Sequence, residues 1–500
     1  MLTSRAGADR TSRSWSRTGA LLCGALFVAA CTDSGEVSLD RASTSTTDPA
    51  PATTESSVTT AQPDGGVAGA AGIGDPYYPT LGNSGYDVVS YDLVLDWDAE
   101  RGALDATSTI TIVAAEDLDT FNLDLHGLTV EAVAVDGAVA GFTHGGGELT
   151  VDPPSVLPTG TRSSVVIDYG GSPEPIRVGT DIFRVGWHTD GRGAYVVSEP
   201  AGAATWFPAN DHPTDKATFR FEVTVPEDLA VAANGVLRSA EVAGGRETFV
   251  YEAADPMATY LASIAIGDLV LVDEGEVGGV PLRSAYARRL VEAAATDFAR
   301  TGEMMVAFQD AFGPYPFEVY GHLVVDETLG FALENQTLSI FGSDLVSGRG
   351  RIDNIVAHEL AHQWFGNAVS AGTWRDIWLN EGFATYAEWV WAEAAGGPTI
   401  AESARSVHGR SDFGVPPGDP GPAELFQPTV YLRGGLALYA LSVEIGSDAF
   451  RDTLRAWVVR HDDSTGTTAD FRRLAEEMSG QDLGAFFDAW VYGAALPPLP

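Results

Sequence analysis

Between residues 355 and 386 the chain reads IVAHELAHQWFGNAVSAGTWRDIWLNEGFATY, the stretch that most limits its fold and chemistry. His358 and His362 are four residues apart, which on a helix places them on one face, one turn above the other. There both imidazoles can hold one zinc ion, and Glu359 can reach the open side of the metal as a general base. Catalytic zinc takes three residue ligands and keeps a position open, so a third ligand must come from elsewhere. Glu381, after 18 intervening residues, lies in the amphipathic run WLNEGFATYAEWVWAEA. That gap is enough for a turn and a second, antiparallel helix. A chance HExxH or a core His pair is the bland alternative. The apolar surround of Ile355, Val356, Leu360 and Ala361, together with the second run, argues for the metal.

Ahead of this stretch, the chain from about Tyr77 to Leu271 is made of short alternating or β-branched runs such as YDVVSYDLVLDWD and TFRFEVTVPE, broken by Gly, Pro and Asp. They predict an antiparallel β sandwich or saddle-shaped domain. After Arg288 the periodicity turns helical, which predicts a mainly helical catalytic domain and an α+β chain overall. The expected division is a leader over 1–30, a tether over 31–75, a β domain over 76–272 and a zinc catalytic domain over 273–500.

The leader rests on the basic start, Arg5, Arg10, Arg13 and Arg17, followed by the apolar run Thr18 to Ala30. As a helix this run covers about 20 Å, short of the ~30 Å bilayer core, so it reads as an export signal and not as an anchor. Val28-Ala29-Ala30-Cys31 resembles a lipoprotein box, which implies a lipidated Cys31, a cell-surface lipoprotein on the outer face of the cytoplasmic membrane, or a secreted protein. The Ser/Thr/Pro/Gly-rich tether cannot bury enough surface to order itself. Cys23 and Cys31 are the only cysteines, so beyond the leader there is neither a disulfide nor a Cys ligand. With 69 acidic against 29 basic residues and a single lysine, Lys216, the net charge of −40 argues against nucleic acid and anionic lipid as partners. A monomer is expected.

HELAHQWFGN followed by WLNEGFATY resembles the M1 family of zinc aminopeptidases, gluzincins with a thermolysin-like catalytic domain. A metzincin would need Gly and His where this chain has Phe365 and Ala368. FPANDHPTDKATF (207–219), DPMATYLASIAIGDL (255–269), the stretch 312–341 and TVYLRGGLALYAL (429–441) agree with the same family, from about residue 77 onward. The resemblance implies one zinc held by His358, His362 and Glu381. It also implies Glu359 as base and acid on a zinc-activated water, and Tyr431 as hydrogen-bond donor to the oxyanion.

For the substrate's free amine it implies Glu334 and Glu199, with Asn335 beside them. Three positions depart: Phe331 stands where the family has Gly, Leu333 where it has Met, and Val197 where it has Gln. His126, His144, His188, His408 and His461 read as solvated, and His212 and His322 as structural. The chain reaches Pro500 soon after AFFDAWVYGAALPPLP, so a short form with a more open site is expected. The implied activity is removal of N-terminal residues from peptides. A broader zinc peptidase that also cuts internally and a catalytically dead surface binding protein are the alternatives.

Overall fold

The computed structural model describes residues 66–178, 184–410 and 413–500. The leader, Cys31 and the tether as far as residue 65 lie outside them. Within the described residues no helix is long and apolar enough to cross a membrane.

Alternation of burial follows the sequence alternation along the β half. In Lys216–Pro226 every second side chain is buried, as a pleated strand with one covered face requires. This strand lies in an eight-stranded sheet with Tyr86–Asp98, Ala103–Ala114 and Arg162–Gly171 as further long members. The sheet departs from the expected antiparallel pattern at its centre, where Thr218–Thr224 pairs parallel with Ser90–Asp96. The physical reason is connectivity: the chain makes a long excursion before 216 and can return in the same direction, whereas hairpins cannot. Trp97, Trp187 and Trp206, all fully buried, pack at 5.4 and 6.2 Å between ring centroids. Such aromatic pairs add about 0.5–1.5 kcal/mol each beyond burial.

Among the described residues, strand pairing is present before the expected boundary at 76. Val67–Ala68 already pairs with Leu118–Asp124, and Asp75 is buried. The division expected at 272 also moves. Leu269–Val277 joins Val280–Ala287, His322–Val324, Ser339–Phe341 and Ala332–Leu333 in a five-stranded sheet on the catalytic side. Its partner strands, not its own composition, decide its membership. The α+β character holds, with the helices concentrated after Val291 and one apolar core running continuously through both halves.

Asp75 ties the two halves together. Its Oδ1 accepts from the backbone N–H groups of Tyr77 and Tyr78, and its Oδ2 from that of Trp374 at 2.9 Å, with His212 at 3.3 Å. Burial pushes its carboxyl up, but His212 and the three N–H donors outweigh that and hold it at about 2. A depressed acid stabilises the fold above its unfolded value of 3.8, and that contribution fades as pH falls through about 2. Asp75→Asn should therefore cost about 2 kcal/mol in denaturant unfolding at neutral pH. The difference from wild type should shrink on acidification, and a constant difference down to acid pH would count against the linkage.

The histidines expected to be solvated instead spend a ring nitrogen on backbone carbonyls. His144 meets Leu125 O, His188 Arg184 O, His408 Pro497 O and His461 Thr465 O. His126 is half-buried, and burial lowers its pKa, with help from His144. His322 is fully buried and uncharged, pushed down to about 3 by burial.

Candidate active site

Asp353–His362 forms a helix whose buried side is Val356, Ala357, Leu360 and Ala361. That burial leaves His358 and His362 on the face towards a second helix, Trp378–Ala394, which carries Glu381 in its first turn. His358 Nε2 lies 3.1 Å and His362 Nε2 3.5 Å from the same Glu381 oxygen. Ligand atoms about 2.0–2.2 Å from a tetrahedral zinc are about 3.3–3.5 Å from each other. The spacing of the donor set therefore fits a zinc ion. The other ring nitrogens are already committed: His362 Nδ1 meets Phe365 O at 3.1 Å, and His358 Nδ1 meets Glu388 Oε1 at 2.9 Å. Both rings would thus present Nε2 to a zinc ion bound here.

Burial opposes charge on these rings, but Glu381 and Glu388 around His358, and Glu334 and Glu381 around His362, outweigh it and raise both pKa values. A metal must displace those protons, so its binding weakens as pH falls. Glu381, also buried, is held at about 2 by His362 and His358 and offers a charged ligand. Glu359 faces the opposite balance. Burial is the largest effect on it, the two histidines pull down, Glu334 and Glu381 push up, and its carboxyl reaches about 8.

Tyr431 arrives from a π-helical turn, Thr429–Arg433, that runs into the helix Gly434–Ile445. Its ring stacks on His358 at 5.8 Å. Burial first, and then Glu381, Glu199, Glu334 and Glu359, raise its phenol well above the usual range, so it stays a donor at neutral pH. The approach depends on two bare backbones. A Cβ on Gly382 would sit 2.9 Å from Gly434, and one on Gly434 would sit 2.8 Å from Gly382. Glu381 and Tyr431 meet because neither of these neighbouring positions has a side chain.

Glu334 follows the strand Ala332–Leu333 and is 2 % exposed. Its Oε1 is buried with no hydrogen-bond partner among the described residues. Burial raises its pKa, His362 opposes this and Glu381 adds to it. One oxygen each of Glu199, Glu334 and Glu381 lie within 4.8 Å of one another. Asn335, the next residue, is buried; its Nδ2 donates to Leu261 O at 3.2 Å, and its Oδ1 has no hydrogen-bond partner among the described residues. The departures Val197 and Leu333 fall in one apolar cluster, against which Phe331 packs. His358, Glu359, His362, Glu381, Glu334 and Glu199 bring ligand atoms together in overlapping groups of three, and Tyr431 stacks on His358.

Sequence reasoning passed over several residues that build it. Glu388 is seven positions after Glu381 on the same helix, hence on the same face, and that periodicity could have found it. Its removal by Glu388→Gln should weaken zinc affinity about 10–100-fold in a competitive chelator titration. Unchanged affinity would mean that the His358 ring needs no such partner. Gln363 and Asn367 both donate to the Glu334 carbonyl, at 3.0 and 2.7 Å, and fix the carboxylate segment to the end of the zinc helix. Lys216, buried at the start of its strand, donates to Asn367 O at 2.7 Å and Ala368 O at 2.9 Å. Burial lowers its pKa to about 8, offset in part by Asp463 and Asp462. No local pattern marks such a contact, because it exists only across the two halves.

Residues 88–261 match the family model Peptidase M1 N-terminal domain, and residues 297–490 match Peptidase family M1 domain. A mutant M1 zinc metallopeptidase from Deinococcus radiodurans, solved with a Tyr-Ser-Ala substrate, superposes with a TM-score of 0.79 and 32% identity. The match covers 86% of this chain and 99% of that one. Aminopeptidase N of Streptomyces lividans is 27% identical over 82% of this chain and 51% of its own length. Aminopeptidase M1 of Arabidopsis thaliana is 26% identical over 60% of this chain and 36% of its own length. The chain thus spans about half the length, or less, of these curated relatives.

Proposed function

As this chain belongs to the M1 family of zinc metallopeptidases, we propose that it is an aminopeptidase that removes N-terminal residues from peptides. The observation that carries the proposal is the buried, unpartnered carboxylate oxygen of Glu334, converging with Glu199 beside the zinc ligands. A buried carboxylate oxygen without a hydrogen bond is costly, and a substrate ammonium group would satisfy it. The Tyr-Ser-Ala substrate of the Deinococcus protein is a peptide of the kind this site would accept.

In this reading His358, His362 and Glu381 hold the zinc. When bound there, zinc supplies Lewis acidity, polarising the scissile carbonyl and lowering the pKa of water towards 7. Glu334 and Glu199 anchor the ammonium, which sets the cleaved bond one residue from the N-terminus. Glu359 takes the proton from the attacking water and passes it to the leaving amine. Tyr431, held protonated, donates to the oxygen on which charge develops.

The test is a matched pair, a free-amine aminoacyl amide and its N-acetylated form, with and without a chelator. Cleavage confined to the free amine and abolished by the chelator is expected. Glu334→Gln should lower kcat/KM on the free amine by about 100-fold, the range for losing one partner of a buried charge pair. Equal cleavage of both substrates by the wild type would overturn amine recognition and favour an open-site endopeptidase. Failure of the zinc-loaded protein to cleave either would favour a binding protein.

A further inference from the structure

Among the described residues, many arginine side chains pair with carboxylates, as Arg220 does with Asp92 and Glu222. Arg433 does not. It is fully buried, and among the described residues no carboxylate forms an ion pair with it. Its guanidinium is spent on backbone carbonyls: Nε on Trp490 O at 3.1 Å, Nη1 on Phe413 O at 3.2 Å, and Nη2 on Ala489 O, Gly493 O and Ala495 O. Four of those carbonyls belong to the segment 489–495, which ends the helix Gly484–Trp490 and continues past it. A buried cation satisfied only by carbonyl dipoles is an expensive way to hold a segment, since apolar packing would do so at lower cost. What the arrangement supplies is direction, because a planar fork fixes the angles at several acceptors together.

Arg433 is two residues after Tyr431, at the end of the same π-helical turn. The next residue, Gly434, is pressed against Gly382, the neighbour of Glu381. The turn is therefore fixed on one side to the helix that carries Glu381 and on the other, through Arg433, to segment 489–495. We infer that Arg433 and segment 489–495 are a positioning device for Tyr431, setting where its hydroxyl meets the developing oxyanion. The inference rests on the oxyanion role of Tyr431 proposed above. Arg433 itself touches no reacting atom.

The experiment is a double-mutant comparison on the zinc-loaded full chain with the free-amine substrate. Arg433→Lys keeps the charge but has too few donors, in the wrong geometry, to reach the five carbonyls. It should lower kcat about tenfold or more, as a misplacement of about 1 Å at a reacting group does, with KM within about threefold of wild type. A phosphinic peptide mimicking the tetrahedral intermediate should lose affinity in parallel. In the Tyr431→Phe background the same substitution should change kcat less than about twofold, because the hydroxyl it positions is gone.

Equal losses in both backgrounds, or wild-type kcat in zinc-loaded Arg433→Lys, would overturn the inference. Wild-type kcat in Tyr431→Phe would remove the oxyanion role itself and this inference with it. If Arg433→Lys does not fold, truncation after Tyr492, which removes the Gly493 and Ala495 carbonyls, is read by the same comparison. A loss of kcat there that vanishes in Tyr431→Phe supports the device, and a loss independent of Tyr431 overturns it.

Discussion

Glu359→Gln should lower kcat on a free-amine aminoacyl amide by about 10²–10⁴-fold, the range for removing a general acid–base group. Zinc content should stay at the wild-type level, because the ligand atoms of His358, His362 and Glu381 are untouched. Glutamine keeps the shape of the side chain and its buried position on the zinc helix but cannot accept a proton. Elemental analysis beside steady-state kinetics separates the two effects. A variant that retains both metal and activity would place the base elsewhere.

The same substitution carries a stability prediction of opposite sign. The Glu359 carboxyl, raised from 4.5 to about 8 by burial and by Glu334 and Glu381, binds its proton more tightly in the folded state. Stability of the chelator-treated protein therefore falls as pH rises from about 4.5 to about 8, and Glu359→Gln should remove that part of the fall. A higher melting temperature of the metal-free variant at neutral pH, with a loss of activity, would show a site that trades stability for chemistry.

Glu381→Gln should abolish activity at low free zinc and uncouple stability from the metal. In the wild type, zinc at 1,000 times its dissociation constant adds about 4 kcal/mol to the folded state by mass action. One Glu381 oxygen lies near the Nε2 atoms of both imidazoles, at 3.1 and 3.5 Å, and its carboxyl is held charged. Without that charge the two histidines alone make a weak site. The melting temperature should cease to respond to micromolar zinc, and dialysis should strip the metal. If the variant kept tight zinc, a different third ligand would be implied. His362, Glu334 and Glu359 also bring ligand atoms within 4.8 Å of one another and would be the set to examine.

The two experiments bear on residues of unequal legibility. His358, Glu359 and His362 could be read from spacing alone, because a helix repeats every 3.6 residues whatever it packs against. Glu381 could be read from an amphipathic run at a workable distance. Tyr431, Glu334, Glu199 and Asn335 could not. Each is an isolated polar residue whose role came only through a family resemblance, and the structure brings them to the metal ligands from separate segments. The β half divides the same way. Alternation marked the strands, but nothing in Lys216–Pro226 announced a parallel neighbour, and nothing in Leu269–Val277 announced which sheet it would join.

By itself, then, the sequence determined the local periodicities and the chemical inventory: two imidazoles one turn apart, many carboxylates, one lysine, no cysteine beyond the leader. Tertiary structure alone decided which of those carboxylates meet. Glu359 and Glu381 are the same residue type twenty-two positions apart on neighbouring helices, yet burial among like charges drives one up to about 8 while two histidines hold the other at about 2. Lys216, and Arg433 at four of its five acceptors, act through backbone carbonyls more than fifty residues away in the chain, where every residue offers the same acceptor. Periodicity is a property of neighbours along the chain and can be read there. A pKa, or a clamp on a carbonyl, is set by neighbours in space, and only the folded chain selects them.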